Sequence, residues 1–78
     1  MKLVEARATK ALSVRALANV AGVAARTIHG IERGEVVPTL STIRKLADAL
    51  GVEPVQVDEF RVAIEKTIRG KGMALADV

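Results

Sequence analysis

The chain has 78 residues, half of them apolar, which suits one domain with a modest core. It contains no cysteine, which excludes disulfides, thiolate zinc sites and cysteine nucleophiles. The net charge is +3, and the basic surplus lies in residues 1–52, which carry 8 lysines and arginines against 4 aspartates and glutamates. Such an imbalance suits binding to nucleic-acid phosphates, although ordinary domains often show one this small.

Several classes of protein are disfavoured by what the sequence lacks. No apolar run approaches the roughly 18 residues of a membrane-spanning helix, and charges interrupt the first seven residues too early for a secretory signal. We therefore expect a cytoplasmic protein without membrane contact. A single histidine, no clustered carboxylates and no phosphate-binding glycine loop argue against an enzyme, so we expect no catalytic residue, metal or cofactor.

Glycines and capping residues divide the chain into five predicted helices, which makes the expected fold all-α. Four glycines follow apolar patterns of helical period, where left-handed C-terminal caps would stand, at Gly22, Gly34, Gly51 and Gly70. A helix starting at Ala24 would lack a side-chain cap, whereas three other starts have one, at Ser13, Thr39 and Asp58. The helices are predicted near residues 2–10, 14–21, 25–33, 40–50 and 58–69.

The fourth helix illustrates the apolar stripe that each helix offers to the core. Its stripe consists of Leu40, Ile43, Leu46, Ala47 and Leu50. In the segment that follows, Pro54 is compatible with a short helical turn or with an extended link, and the sequence does not separate the two.

The joint between the second and third helices, residues 18–24, is the most informative stretch. A short turn containing Gly22 is followed by the apolar Val23, and such a turn holds two short helices at a steep angle. This is the geometry of a helix-turn-helix. A purely structural helical hairpin can use the same device, so the joint alone leaves both interpretations open.

A longer set of motifs resembles the Cro and phage-repressor (XRE-type) helix-turn-helix family. The motifs are LSVRALA at 12–18, GV at 22–23, TI at 27–28, IERG at 31–34, PTL at 38–40 and LADALGV at 46–52. The resemblance covers about residues 3–57. It implies a compact five-helix, lambda-repressor-like DNA-binding domain in which the second and third helices form the DNA-reading unit.

The resemblance implies that the third helix enters the major groove and presents its first and outward-facing residues to base edges. This base-reading set is Ala24, Ala25, Arg26, His29 and Gly30. Arg26 is the best candidate because a guanidinium can bond both O6 and N7 of guanine. An exposed solubilising arginine, or a phosphate contact, has equal weight. For His29, an ordinary exposed histidine is favoured over a DNA contact.

Phosphate contacts are implied at the start of the second helix and around the end of the third. The candidates are Val14, Arg15, Thr27, Arg33 and Gly34. Arg33 has a second interpretation as a partner of the helix dipole at a C-terminus. Arg7 and Glu32 match a family pair that forms a partly buried salt bridge between the first helix and the recognition helix.

The expected reading surface departs from the usual family pattern. Family members commonly carry glutamine in place of Val14, a hydroxyl residue in place of Ala24, and long polar side chains in place of Ala25 and Gly30. Few hydrogen-bonding side chains remain for bases. We therefore expect modest sequence specificity that rests on Arg26, on apolar contacts with thymine methyl groups and on DNA shape.

The predicted fifth helix carries more apolar surface than one small domain must bury. This surface can pack on the first and fourth helices, form a homodimer seam, or divide between the two roles. The candidate dimer residues are Val55, Val57, Phe60 and Ile64. We assign residues 1–70 to the helix-turn-helix DNA-binding domain with its C-terminal helix, and residues 71–78 to a flexible tail.

The sequence thus predicts a transcriptional regulator that binds specific duplex DNA as a homodimer, with repression as the favoured action. An antitoxin that also binds a toxin is a variant of this hypothesis. The rival is a protein-interaction module that kept the fold but lost DNA binding, favoured by Val14, Ala24 and Gly30. Three arginines on or beside the expected binding face argue for DNA, namely Arg15, Arg26 and Arg33.

Overall fold

Five α-helices and one short 3-10 helix make up residues 1–70, the part of the chain that the computed structural model describes. The α-helices are α1 (Leu3–Thr9), α2 (Val14–Ala21), α3 (Ala25–Glu32), α4 (Leu40–Leu50) and α5 (Asp58–Gly70). No strand occurs within this range, and the expected all-α fold is confirmed. The expected tail, residues 71–78, lies outside the described residues.

Two of the expected N-terminal caps are present. The Ser13 hydroxyl accepts a hydrogen bond from the Ala16 N–H at 3.0 Å, and the Thr39 hydroxyl accepts one from the Thr42 N–H at 3.3 Å. As expected, α3 begins after Ala24 without a side-chain cap. Asp58 is not the residue before a helix but the first residue of α5, so it places a negative charge in the positively polarised first turn.

The four helices α1 to α4 end in the same way, with a left-handed residue that lets two backbone N–H groups fold back onto the last turn. Glycine provides that residue after α2, α3 and α4, and Ala11, with φ of +55°, provides it after α1. The sequence pattern did not reveal this last position because alanine rarely adopts the conformation. Gly70 differs from the expectation, since it remains helical at the end of α5.

The segment between α4 and α5 forms a helical turn rather than an extended link. Pro54 is the first residue of the 3-10 helix Pro54–Gln56, where its missing N–H costs no hydrogen bond. The Gln56 side chain accepts a hydrogen bond from the Glu53 N–H at 2.8 Å and closes the turn.

One core joins all five α-helices. Its largest fully buried side chains are Leu3, Leu17, Ile28, Ile31, Leu46, Leu50, Val57 and Phe60. Leu40, expected in the stripe of α4, is instead half exposed, because it is the first residue of the helix and lies at the edge of the core. Every helix therefore holds at least one side chain of the common core, and the position of α3 depends on all of them.

Two of the four candidate dimer residues belong to this core, which corrects the sequence-based expectation. Val57 and Phe60 are both 0 % exposed within a single chain, so neither can contact a second copy. Val55 is 57 % exposed and Ile64 is partly buried, so these two remain accessible. The apolar surface of α5 thus divides between the core and the outside.

Hydrogen bonds tie the start of α1 to the start of α5. The Glu59 carboxylate accepts a hydrogen bond from the Leu3 N–H at 2.9 Å, and the Asp58 N–H donates to the Met1 carbonyl at 2.7 Å. Glu59 thereby satisfies a backbone N–H that α1 itself cannot pair. The start of the chain is thereby joined to the start of α5, and α5 completes the domain.

The longest described helix, α5, has 13 residues, and no helix within residues 1–70 has the length and apolar character needed to cross a membrane.

We expect Phe60→Ala to lower the free energy of unfolding by about 3–5 kcal/mol, because it leaves a cavity among fully buried side chains. Val20→Ala, the control at an exposed position, should change it by less than about 0.5 kcal/mol. Phe60→Leu should give an intermediate loss if the alanine variant is too unstable to purify. Urea unfolding at two protein concentrations measures all three. A loss at Phe60 that arises only from weaker association would shift with concentration and contradict the core assignment.

Candidate nucleic-acid interface

The turn between α2 and α3 has three residues, Gly22–Ala24, and its geometry depends on Gly22. Gly22 has a φ of +70°, a conformation that costs residues with a side chain about 1 kcal/mol or more. The N–H groups of Gly22 and Val23 both donate to the Ala18 carbonyl, at 2.9 and 3.1 Å. The chain therefore reverses sharply after α2, and α3 starts at Ala25, three residues beyond the glycine.

The two faces of α3 differ completely. Ile28 and Ile31 are 0 and 1 % exposed and anchor the helix in the core. On the opposite side Arg26 and His29 are exposed, while Ala25 is partly buried. The outward orientation expected for Arg26 and His29 is thus present, and a cationic side chain stands in the first turn of the helix.

An arginine on α1 holds the other end of α3 in place. The Arg7 guanidinium donates from Nε to Oε2 of Glu32 at 2.8 Å and from Nη2 to Oε1 at 3.2 Å. Its Nη1 donates to the Leu12 carbonyl at 3.0 Å. The paired side chains are only 17 and 14 % exposed, so water screens them weakly. The ion pair implied by the resemblance is therefore present, and it links α1, the turn after it and α3.

The hydrogen bonds that Arg7 donates to Glu32 raise the pKa of Arg7; partial burial acts in the opposite direction, and the negative charge of Glu32 adds to the rise. The raised pKa means that folding favours the charged guanidinium, which remains protonated at any physiological pH. The pair is therefore a permanent structural connection rather than a titrating switch. It fixes the C-terminal end of α3, where Glu32 is the last residue of the helix.

The start of α2 exposes one cation and buries one apolar residue. Arg15 is exposed, whereas Val14 is partly buried and its side chain packs against the core. Only the backbone of Val14 can therefore contact a phosphate. Ser13 already accepts the Ala16 N–H, which leaves the earlier N–H groups of the first turn for an external acceptor.

The end of α3 brings Arg33 and Gly34 to the surface, and both are exposed. Gly34 has a φ of +76°, and its N–H donates to the Ile31 carbonyl at 3.1 Å. Thr27, the remaining candidate for a phosphate contact, is partly buried near the start of the helix. Exposed cations thus stand at both ends of α3, with Arg26 at one end and Arg33 at the other.

Gly30 was expected to face DNA, and the structure corrects this expectation. Gly30 is buried, because the loop after α3 folds back over it. Its carbonyl accepts hydrogen bonds from the Glu35 and Val36 N–H groups, at 2.8 and 3.1 Å. A Cβ atom at position 30 would lie 3.1 Å from the Val36 Cβ and would overlap Val36 Cγ2. The glycine therefore allows the loop to pack closely on α3. Gly30 is not a base-reading residue.

Comparison with known protein families identifies the family to which this arrangement of helices belongs. A family model described as a helix-turn-helix domain matches residues 2–60, which run from the start of α1 into α5. The chain belongs to the helix-turn-helix domain family, so the joint at Gly22 is a helix-turn-helix and not merely a structural hairpin. No match was found among curated proteins or among solved structures.

We expect Gly30→Ala to destabilise the protein, although alanine has the higher helix propensity by about 1 kcal/mol. Overlap with Val36, whose branched side chain moves little, should cost about 1–3 kcal/mol and outweigh that gain. Adding Val36→Ala should recover most of the loss, since it removes the overlapping methyl group. Denaturant unfolding of the two single variants and the double variant measures this coupling.

Gly70→Ala is the matched control, because Gly70 is helical and a Cβ atom there would meet open space. It should leave the stability unchanged or raise it slightly. A Gly30→Ala protein as stable as the parent would show that the loop does not pack on α3 as described.

Proposed function

We propose that this helix-turn-helix protein binds duplex DNA in the cytoplasm as a transcriptional regulator, with α3 in the major groove and repression as its action. The observation that carries the proposal is the fixed position of α3. Its apolar face is anchored in the core and its end is held by Arg7, while Arg26 points outward from its first turn. A helix held in this way can present the same side chains to every DNA site.

Base reading in this proposal rests mainly on Arg26. A guanidinium that bonds O6 and N7 of guanine discriminates against other bases by about 1–3 kcal/mol. Ala24 and Ala25 would offer methyl groups to thymine, and His29 would contribute a lesser contact from the same exposed face. Because Gly30 is buried and contributes nothing, the reading surface is even smaller than the sequence suggested, and the expected specificity stays modest.

Phosphate contacts would flank this surface. Arg33 and the Gly34 backbone lie at one end of α3, while Arg15 and the Val14 N–H lie at the start of α2. Thr27 offers a hydroxyl between the two. Cations and free helix N–H groups suit phosphate oxygens and would set the register of α3 on the duplex.

A homodimer completes the proposed function. One recognition helix contacts few base pairs, whereas two of them about 34–36 Å apart read a palindromic site with higher affinity. Of the dimer residues expected from the sequence, Val55 and Ile64 remain accessible for this role.

The phosphate role of Arg33 is tested by DNA binding across a salt series. Arg33→Ala should weaken binding to all duplexes alike and lower the slope of log K against log salt by about one unit, because one fewer counterion is released. Arg61→Ala removes the same charge from α5, where no DNA contact is proposed, so it should leave the slope unchanged; its exposed ion pair with Asp58 contributes little to stability. Equal slopes for the parent and Arg33→Ala would assign Arg33 to the helix dipole instead.

The base-reading role of Arg26 is tested by a conservative variant. Arg26→Lys keeps the charge but cannot form the same bidentate pair, so the salt slope should persist while discrimination among bases falls. Selection from random duplexes, followed by binding to the best site and to single-base variants, measures the discrimination. A long and sharply defined motif that survives Arg26→Lys would show that other residues read the bases.

A protein-interaction module, including an antitoxin that binds a toxin, is the second candidate. The observation that favours it is the scarcity of polar side chains on the reading face, where Val14 packs against the core, Gly30 is buried and Ala24 has no polar group. Absence of duplex binding even at low salt, with the fold intact by circular dichroism, would favour this function over DNA binding.

A further inference from the structure

A groove of about 280 Å³ lies between α5 and the loop that follows α3. Its apolar lining includes Val36, Val37 and Val62, whose surfaces are 41, 55 and 45 % exposed. Single exposed valines are ordinary, but three that line one groove form a surface typical of a binding site. None of the arginines proposed to contact DNA lines this groove. We name it the Val62 groove.

The two acids that line the Val62 groove already have partners. The Glu59 carboxylate accepts the Leu3 N–H at 2.9 Å. Asp58 lies 3.5 Å from the Arg61 guanidinium and 3.3 Å from the amino group of the first residue. Both acids stand in the first turn of α5, so the negative charge of the groove is confined to one end and is largely balanced there.

Two lysines also line the groove, and neither forms an ion pair with any residue in 1–70. Lys2 precedes Leu3, which bonds Glu59, so it belongs to the same end as the two acids. Lys66 lies about 12 Å farther along the axis of α5 than Asp58. The other end of the groove therefore combines an available cation with an apolar lining.

We propose that the Val62 groove binds a small organic carboxylate, with its apolar body on the three valines and its carboxylate at Lys66. The groove has the volume of about nine water molecules in the liquid, so it holds a body of about ten non-hydrogen atoms. A protein partner would need about 800 Å² on each side, far more than a groove of this size offers. The ligand is thus a free medium-chain or single-ring acid rather than a peptide.

The opposite wall of the groove connects it to the recognition helix. Val36 packs on Gly30 of α3, and its N–H donates to the Gly30 carbonyl at 3.1 Å. Gly34, whose backbone is a proposed phosphate contact, lines the groove as well. A bound carboxylate would hold this loop in place, and, resting on the proposed function, it would raise the affinity for DNA because less of the loop remains to be ordered.

A second groove, of about 320 Å³, lies between α4 and α5 and is lined by Ile43 and Ile64. Its cation is Arg44, but Asp48 stands one turn away on the same helix and would repel an anion. No residue of the loop after α3 lines this second groove. The Val62 groove is favoured for both reasons.

Titration with octanoate, followed through the amide signals in NMR spectra of the full chain, tests the site. Octanoate has about the size that the groove holds, and we expect saturable binding with a Kd of about 1 mM or below. The largest shifts should lie in the loop after α3 and around Val62. Octylammonium, with the opposite charge, should bind at least about fivefold more weakly, and acetate, which lacks the apolar body, should not saturate.

Variants with matched controls identify the contacts. Lys66→Glu should weaken octanoate binding about tenfold, whereas Lys45→Glu, the same charge reversal at an exposed position outside both grooves, should leave it unchanged. Val62→Gln removes the apolar contact at an exposed position and should weaken binding about fivefold with the fold intact. Equal affinity for Lys66→Glu and the parent, shifts centred on Ile43 and Ile64, or shifts that never saturate would overturn the proposal.

DNA binding distinguishes failure of the site from failure of the proposed function. Octanoate should raise the affinity of the parent for its best duplex about fivefold over the same concentration of acetate, which matches the ionic strength. Lys66→Glu should lose this response, while Lys45→Glu, equal in charge, should keep it. Saturable octanoate binding by a protein that binds no DNA would overturn only the proposed function. DNA binding by a parent that does not bind octanoate would overturn only the site, and octanoate binding that leaves DNA affinity unchanged would overturn the coupling.

Discussion

The position of α3, the recognition helix, depends on the hydrogen bonds of the Arg7 guanidinium. It bonds both carboxylate oxygens of Glu32 and the Leu12 carbonyl, so one side chain joins α1, the turn before α2 and the end of α3. The cost of removing these groups from water is met by three hydrogen bonds, two of them between full charges. Ile28 and Ile31 fix the depth of α3 in the core, but apolar contacts are not directional. The planar guanidinium of Arg7 forms directional, bidentate hydrogen bonds that fix the orientation of α3. A lysine ammonium could not form them.

The loop after α3 shows how a constraint inside the fold narrows what the surface can do. Gly30 lies on the helix that would read DNA, yet it is buried because Val36 packs against it. The same packing brings Val36 and Val37 to the groove beside α5. A smaller reading surface and a larger apolar groove are therefore two results of one loop conformation. The arrangement leaves α3 with few side chains for base contacts.

Local rules on the sequence predicted most of the fold, because caps and helix ends depend on a few neighbouring residues. Ser13, Thr39 and Gly22 behave as their chemistry predicts, whereas Ala11 ends α1 in a conformation that its residue type gives no sign of. The errors at the candidate site arose where distant segments meet. The burial of Gly30 depends on the path of a loop, and the burial of Phe60 depends on how α5 docks on the other helices. Periodicity alone cannot distinguish core from interface on a helix with apolar residues on several sides.

The hydrogen bond from the Leu3 N–H to Glu59 spans 56 residues and closes nearly the whole described chain into one loop. Contacts of such long range form late, because the entropy of closing the loop must be met before the contact contributes. During synthesis the helix-turn-helix segment leaves the ribosome well before Phe60. Until Phe60 follows, the core lacks the side chain that fills its centre. The nascent chain therefore carries a complete reading helix in an incomplete domain. The domain is complete only once α5 has docked on the earlier helices.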